Sequence, residues 1–228
     1  MSADDRERYP VKVGHHSSHS VVLEMCSRGD GRRLLDVGCA RGHLASALAS
    51  MGWDVTGIEA DTDDARAARD LGLRVLEQRA EDAFADISET FDVIVFADVL
   101  EHVADPSSVL ESALAVLAPG GRIIVSVPNV AHLTVRAQLL LGRFDYADRG
   151  IMDRTHLRFF TRRTLVELIE GAGLAVDRMK VTPAPIEEVF PAMLRSRSLR
   201  ALLDANAALA RLWKSGLAYQ WVVEARHR

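Results

Sequence analysis

The sequence predicts an α/β fold: a parallel β-sheet with helices on both faces, extended by an antiparallel last strand. Three observations carry that expectation. From Arg33 onward, short apolar runs alternate with helical segments, the pattern of βαβ units. Several of the runs are continuously apolar, as strands buried on both faces require. Near the C-terminus "LAYQWVVEA" (217–225), rich in strand formers, follows a sixth strand without the usual single crossover, so it is expected to pair antiparallel.

Each element has its own justification. "RLLDVGC" (33–39) is an apolar run ending in a glycine loop, and "HLASALASMG" (43–52) is a helix with Gly52 where a C-cap glycine belongs. "WDVTGIEA" (53–60) is a second strand, "TDDARAARDLG" (62–72) a second helix and "LRVLEQ" (73–78) a third strand. "FDVIVFADVL" (91–100) is the most apolar run and so a central strand. "DPSSVLESALAVLAPGG" (105–121) reads as a helix with Pro106 in its first turn. Leu110, Ala113, Leu114 and Leu117 share one face, and Pro119-Gly120-Gly121 is the expected stop. "RIIVSV" (122–127) is a fifth strand, after which the rhythm breaks for some thirty residues. It resumes with a helix in "TRRTLVELIEGAGL" (161–174) and a sixth strand in "LAVDRMKV" (174–181). Residues 186–214 read as helical, with a kink around 196–198.

Composition narrows the function classes. The chain has 228 residues, 48% hydrophobic and 26% charged, which suits a globular protein with a full core. Its two cysteines, Cys26 and Cys39, make neither a disulfide framework nor a zinc motif, and they favour a reducing, cytoplasmic setting. The charged N-terminus "MSADDRERYP" lacks a signal-peptide apolar run, and no window is apolar enough to span a membrane. A net charge of −4 argues against nucleic acid as a partner. From 192 to 228, seven Lys/Arg face two Asp/Glu, either a solvated basic face or a surface for an anionic partner.

The loop "DVGCARG" (36–42) places Asp36 at a strand end and Gly38 and Gly42 where the backbone must turn sharply or approach a ligand. Glu59 ends the second strand, 17 residues after Gly42, where a carboxylate can accept both hydroxyls of a ribose. The dinucleotide fingerprint would need a glycine at position 40, which is Ala40, so a nucleoside without a pyrophosphate is the better fit.

Four segments in register, "LLDVGCARGHLASAL", "VTGIEAD", "FDVIVFADVLEHVADPSSVL" and "LAPGGRIIVSVPNV", resemble class I S-adenosylmethionine-dependent methyltransferases with a Rossmann-like seven-stranded mixed sheet. The nearest type resembles ubiquinone-biosynthesis and related small-molecule O-methyltransferases. "RFDYADRGIMDRTHLRFFTRRTL" (143–165) further resembles a bacterial subgroup associated with glycosyltransferases. The resemblance implies one methyltransferase domain: an N-terminal cap (1–30), a cofactor core (31–127), an acceptor-site insertion (128–160) and C-terminal helices and strands (161–228). It implies S-adenosyl-L-methionine as cofactor, with Asp36, Gly38, Cys39 and Gly42 at its methionine half. Glu59 would hold the ribose, Ala60, Ala80 and Glu81 would border the adenine, and Ala97 and Asp98 would face the amino acid. Where many members carry an aspartate for the adenine amino group this chain has Arg79, so Glu81 or Asp82 must serve or the contact is lost.

The expected acceptor is a small molecule, with a hydroxyl of a sugar, glycolipid or secondary-metabolite precursor preferred, and a homodimer is compatible. Positioning supplies most of the acceleration, and a neutral hydroxyl additionally wants a general base, worth roughly 10²–10⁴-fold. His156 is the leading candidate, with Asp153 three residues earlier to orient its ring and His102 as the alternative. Arg154 and Arg158 would grip a phosphate or carboxylate on the acceptor, with Phe159 and Phe160 as floor; the competing reading is an ion-pair latch. Asn129 and His132 are expected on the acceptor rim. "HHSSHS" (15–20) reads as a mobile or capping segment rather than a metal tract, and Tyr9, His15 and His16 as lid residues over the cofactor. No spacing of Cys, His and Asp makes a metal cage, so no metal is expected. A nicotinamide oxidoreductase and a non-catalytic binding module remain as alternatives.

Overall fold

The chain runs α1 (Ser18–Cys26), β1 (Arg33–Val37), α2 (His43–Ser50), β2 (Asp54–Glu59), α3 (Thr62–Asp70), β3 (Arg74–Glu77), α4 (Ala80–Ala83) and β4 (Phe91–Ala97). It continues with α5 (Pro106–Leu114), β5 (Leu117–Pro128), α6 (Leu133–Leu140), α7 (Arg162–Gly171), β6 (Leu174–Thr182), α8 (Arg197–Leu212), α9 (Lys214–Leu217) and β7 (Gln220–His227). This is a computed structural model that describes residues 16–185 and 197–228, so part of the helical stretch expected over 186–214, and Tyr9 and His15, lie outside the described residues.

The seven strands form one sheet in the order β3-β2-β1-β4-β5-β7-β6. β1 pairs in parallel with both β2 and β4, and β7 pairs antiparallel with β5 and β6, as the sequence predicts. Alternate strand residues feed two cores. Leu35, Ile94, Phe96, Ile123 and Val125 pack with Leu110 and Ala113 of α5 and Leu165 and Ile169 of α7. Leu34, Val93, Val95 and Ile124 pack on the other face with Val22 and Met25 of α1 and Leu44 and Leu48 of α2. Each fully buried Leu, Ile or Phe contributes on the order of 1.5–3 kcal/mol, so both faces of the central strands are committed.

Capping agrees with the sequence. Asp105 accepts from Ser108 N at 3.2 Å ahead of Pro106, and Thr161 and Thr164 form a reciprocal box at the start of α7. Ser17 caps α1 by accepting from Ser20 N.

Two boundaries differ from expectation. α5 ends at Leu114, and Leu117 to Gly121 belong to β5 instead of the helix and its stop. Val116 is buried, its carbonyl accepts from Phe91 N, and Leu117 pairs with Phe91, so the ladder starts early and then shifts register through a bulge. The break after β5 contains α6, which the sequence hid because Val135 alone of its residues is buried, leaving no apolar stripe to read. Two of the basic C-terminal residues are paired: Arg226 meets Asp177 at 2.8 Å and Arg228 meets Glu170 at 3.5 Å. No helix among the described residues is long and apolar enough to cross a membrane.

Candidate active site

The winding of the sheet reverses between β1 and β4, and in open α/β sheets the crevice that takes the ligand lies at such a reversal, outside the carboxyl ends of the strands. On the β1 side, Gly38 and Gly42 have φ of 70° and 79°, and Ala40 between them has φ of 45°. Gly38 N and Cys39 N both donate to Ile58 O, at 2.8 and 3.0 Å, folding the loop onto β2. The Glu59 carboxylate completes the loop: Oε2 accepts from Ala40 N and Oε1 from Asp61 N, each at 2.8 Å. Asp36 is buried, and its Oδ2 finds no hydrogen-bond partner among the described residues. Burial, then the nearby Glu59 charge, pushes its carboxyl up to about 7.

On the β4 side Asp98 adopts φ of 59° and is held from three directions. Oδ1 accepts from Ser126 Oγ at 2.7 Å and Gln220 Nε2 at 2.8 Å, and Oδ2 accepts from Ser18 Oγ at 3.3 Å. Ser18, Ser126 and Gln220 escaped the sequence reading. Their common role exists only once β7 inserts beside β5 and α1 docks on the sheet.

The octapeptide 153–160 lies against the turn that follows β4. Leu157 N and Arg158 N donate to Glu101 O at 2.8 and 3.0 Å, and the Arg158 guanidinium donates to Ala104 O. Val130 N donates to Phe160 O at 2.9 Å, fastening the other end to β5. This docking brings His102 and His156 together, ring centroids 4.8 Å apart and edge to face. His156 Nδ1 lies 3.1 Å from Ile151 O, so that nitrogen carries the proton and Nε2 keeps its lone pair. His102 Nδ1 sits 3.3 Å from Thr155 O and 3.2 Å from Thr155 Oγ1, whose own proton goes to Asp153 Oδ1 at 2.7 Å. Again Nε2 is left as the lone-pair atom. Burial lowers the His156 pKa, favouring the neutral ring.

Several expected roles are corrected by these contacts. Asp153 does not orient His156: it accepts from Thr155 N and Oγ1, and the Ile151 carbonyl sets the ring instead. Arg154 pairs with Asp148 at 2.6 Å on the surface and Arg158 donates to Ala104 O, so neither makes an ion pair with Asp153 as the latch reading expected. Phe160 is core, while half-buried Phe159 stays beside His156, with centroids 6.2 Å apart. Asn129 is fully buried, with Nδ2 donating to Ala218 O and Oδ1 accepting from Ala131 N, and is wall instead of rim. His132 is buried too, capping α6 through Thr134 N. The Cys39 side chain turns inward to Ala65, Ala68 and Val75, so only its backbone faces the crevice. Glu81 accepts from exposed Arg79 at 3.1 Å and is shared between that ion pair and any adenine contact. His16 contacts Asp204 at 3.2 Å, tying the start of α1 to α8. Against the expectation of no metal-ligand set, the fold gathers Glu101, His102 and His156, with ligand atoms within 4.8 Å of one another.

Residues 18–178 match the profile of a family described as a methyltransferase domain. The chain belongs to this family. Among curated relatives, ubiquinone biosynthesis O-methyltransferases from Aeromonas salmonicida and Xylella fastidiosa are 31% and 37% identical. The matches cover 70% and 71% of this chain and 70% of each relative. Two solved structures share the fold at low identity. The 1,6-didemethyltoxoflavin-N1-methyltransferase of Burkholderia thailandensis, with bound S-adenosylhomocysteine, gives a TM-score of 0.63 at 19% identity, covering 98% of this chain and 82% of that one. The magnesium protoporphyrin IX methyltransferase of Synechocystis, also with S-adenosylhomocysteine, gives 0.64 at 14%, covering 95% and 84%. The protein is therefore an S-adenosylmethionine-dependent methyltransferase of class I.

The crevice of this methyltransferase fits the cofactor on its own terms. The orphaned Asp36 oxygen suits a cationic amino acid, and the Glu59 carboxylate, with one lone pair used on each oxygen, retains acceptor capacity for hydroxyls. A Cβ at Gly38 would lie 2.7 Å from Val99 Cγ2, so the loop holds its close approach only without a side chain there.

Proposed function

We propose that this methyltransferase alkylates a hydroxyl oxygen of a small-molecule acceptor carrying a flat apolar body. When bound, S-adenosylmethionine supplies an electrophilic methyl group on a sulfonium. Asp36, Glu59 and Asp98 hold and orient the cofactor, and the octapeptide roofs the opposite side of the crevice. The carrying observation is the run of rings leading away from His156. Phe159 lies 6.2 Å from His156, Phe144 6.0 Å from Phe159, and Tyr146 5.6 Å from Phe144. Phe144 and Tyr146 are exposed, so the run reaches from the histidine pair to solvent and offers stacking surfaces to a planar acceptor. That favours an aromatic secondary-metabolite precursor over the sugar or glycolipid acceptors also expected from the sequence, and it agrees with the O-methyltransferase names of the curated relatives. Activation of the hydroxyl falls to His102 and His156, whose Nε2 lone pairs are their remaining functional atoms.

The test has two arms. Calorimetric titration should show saturable binding of S-adenosylmethionine and S-adenosylhomocysteine and none of NAD; NAD binding alone would restore the oxidoreductase alternative. Transfer of labelled methyl should then be scored against phenolic, glycosidic and carboxylic acceptors. Turnover of phenols above sugars supports the reading, and transfer confined to sugars or carboxylates overturns it.

A further inference from the structure

We infer that a cavity between α1, the end of β6 and α8 is a binding site for a phosphate-bearing small molecule, separate from the cofactor crevice. The cavity has a volume of about 460 Å³. That falls within the roughly 300–1,000 Å³ of small-molecule sites. Its walls are tied together on three sides. His16, just ahead of α1, meets Asp204 of α8 at 3.2 Å, and Glu24 of α1 meets Lys180 of β6 at 2.5 Å. Asn206 Nδ2 of α8 donates to Ala184 O, just past β6, at 2.9 Å. Buried Ala207 adds an apolar patch to the wall.

The charge of the lining is one-sided. Lys180, Arg211 and Lys214 set three cations against the single carboxylate of Glu24, a surplus of +2 in a chain whose net charge is −4. Neither Arg211 nor Lys214 forms an ion pair among the described residues. In that they differ from Arg178, which meets buried Glu224 at 2.9 Å, and from the paired Arg226 and Arg228. Glu24 registers the surplus: its hydrogen bond to Lys180, and beyond it the charges of Arg178 and Arg211, hold its carboxyl below the usual range. Glu24 is also exposed, so its pair with Lys180 is weak and gives way to a stronger anion. A phosphate monoester carries about −1.5 to −2 near neutral pH and three acceptor oxygens, which matches the surplus, whereas a monocarboxylate would leave a cation over. The Arg211 guanidinium can take two phosphate oxygens at once, with Lys180 and Lys214 as point charges. Because these cations line a recess and not a plane, the field is focused on a small ligand. The basic excess of the C-terminal segment thus divides between residues spent on ion pairs and residues left for an anion.

The full chain is titrated calorimetrically at low salt with glycerol 3-phosphate, and with glycerol as the uncharged control, in the absence and presence of saturating S-adenosylhomocysteine. The expected result is one saturable equivalent of the phosphate ester in both conditions and none of glycerol. Arg211→Ala combined with Lys214→Ala should weaken it at least ten-fold, as should Lys180→Met, while S-adenosylhomocysteine affinity stays native. Arg163→Ala, which removes an exposed arginine of α7, should leave it unchanged. Hydrogen exchange of the unsubstituted protein locates the site without any variant: glycerol 3-phosphate should slow exchange in α1, at the end of β6 and in α8. Absence of saturable binding, binding undiminished in the variants, competition with S-adenosylhomocysteine, or protection confined to other elements overturns the site. Binding to phosphatidylglycerol vesicles without binding of glycerol 3-phosphate also overturns it, since the cations would then read a lipid surface.

Discussion

Replacing Glu59 tests the cofactor half of the crevice most directly, because one carboxylate carries two tasks. In the free protein it accepts Ala40 N and Asp61 N at 2.8 Å each, bracing a loop in which a non-glycine residue sits at φ of 45°. On the proposed assignment its remaining lone pairs would accept from two ribose hydroxyls. Hydrogen bonds to a charged acceptor are worth about 1.5–3 kcal/mol each, and an amide in place of the carboxylate keeps one acceptor oxygen and turns a donor toward the other N–H. Glu59→Gln should therefore cost about 1–3 kcal/mol of stability, read as a lower urea midpoint. It should also weaken S-adenosylhomocysteine by ten-fold or more, about 1.4 kcal/mol. Glu59→Ala should weaken it further. Calorimetric titration of folded variants, checked by circular dichroism, measures the binding term separately from the stability term. A folded Glu59→Gln protein with native affinity would place the ribose elsewhere and refute the assignment.

Three further outcomes follow from other parts of the site. Asp36 holds its proton up to about 7, against 3.8 as the ordinary value, so between those limits the folded state binds a proton that the unfolded chain releases. Stability should thus decline as pH rises from about 4 to about 7 and level off above, in urea titrations across that range, and Asp36→Asn should flatten the slope. Because a cationic amino acid favours the ionised carboxylate, S-adenosylhomocysteine affinity should weaken below about pH 7 in the native protein and much less in Asp36→Asn. His132→Ala should lower unfolding free energy by about 1–3 kcal/mol through loss of a buried cap, with KM for the acceptor within two-fold of native; a large KM change would return His132 to the acceptor rim. Gly42→Ala meets both a φ of 79° and a Cβ position 2.5 Å from Leu73 Cδ1 and 2.9 Å from Ala68 Cβ, so it should lower both Tm and cofactor affinity. Native values for both would mean that the loop relaxes freely.

The cofactor half was legible because its parts are local. Asp36, Gly38 and Gly42 belong to one strand–turn–helix unit, and Glu59 ends the next strand in the parallel register that pairs Val37 with Ile58. In a doubly wound sheet, the carboxyl end of each strand is also its place in the crevice, so position in sequence carries position in space. Asp98 was named from the family resemblance, and its partners were not named at all. Gln220 reaches it only because β7 runs antiparallel between β5 and β6, which juxtaposes Pro128 with Gln220. The length of β5 was misjudged because Pro119, Gly120 and Gly121 read as a helix stop, whereas the burial of Val116 and the pairing of Leu117 with Phe91 extend the ladder through them.

The acceptor half resisted for a different reason. The histidines there were identifiable as residue types, yet what sets their chemistry is main chain. Ile151 O fixes one tautomer, Thr155 O and Oγ1 the other, and Glu101 O fastens the octapeptide that carries His156. A carbonyl has no letter in the sequence, so Asp153 was the natural partner to choose and the wrong one. The arginines, too, have partners that the sequence does not show: Arg158 donates to Ala104 O and Arg154 pairs with Asp148. On the proposed reading, selectivity for a planar, hydroxyl-bearing acceptor would come from ring stacking along Phe159, Phe144 and Tyr146 and from the Nε2 atoms of His102 and His156.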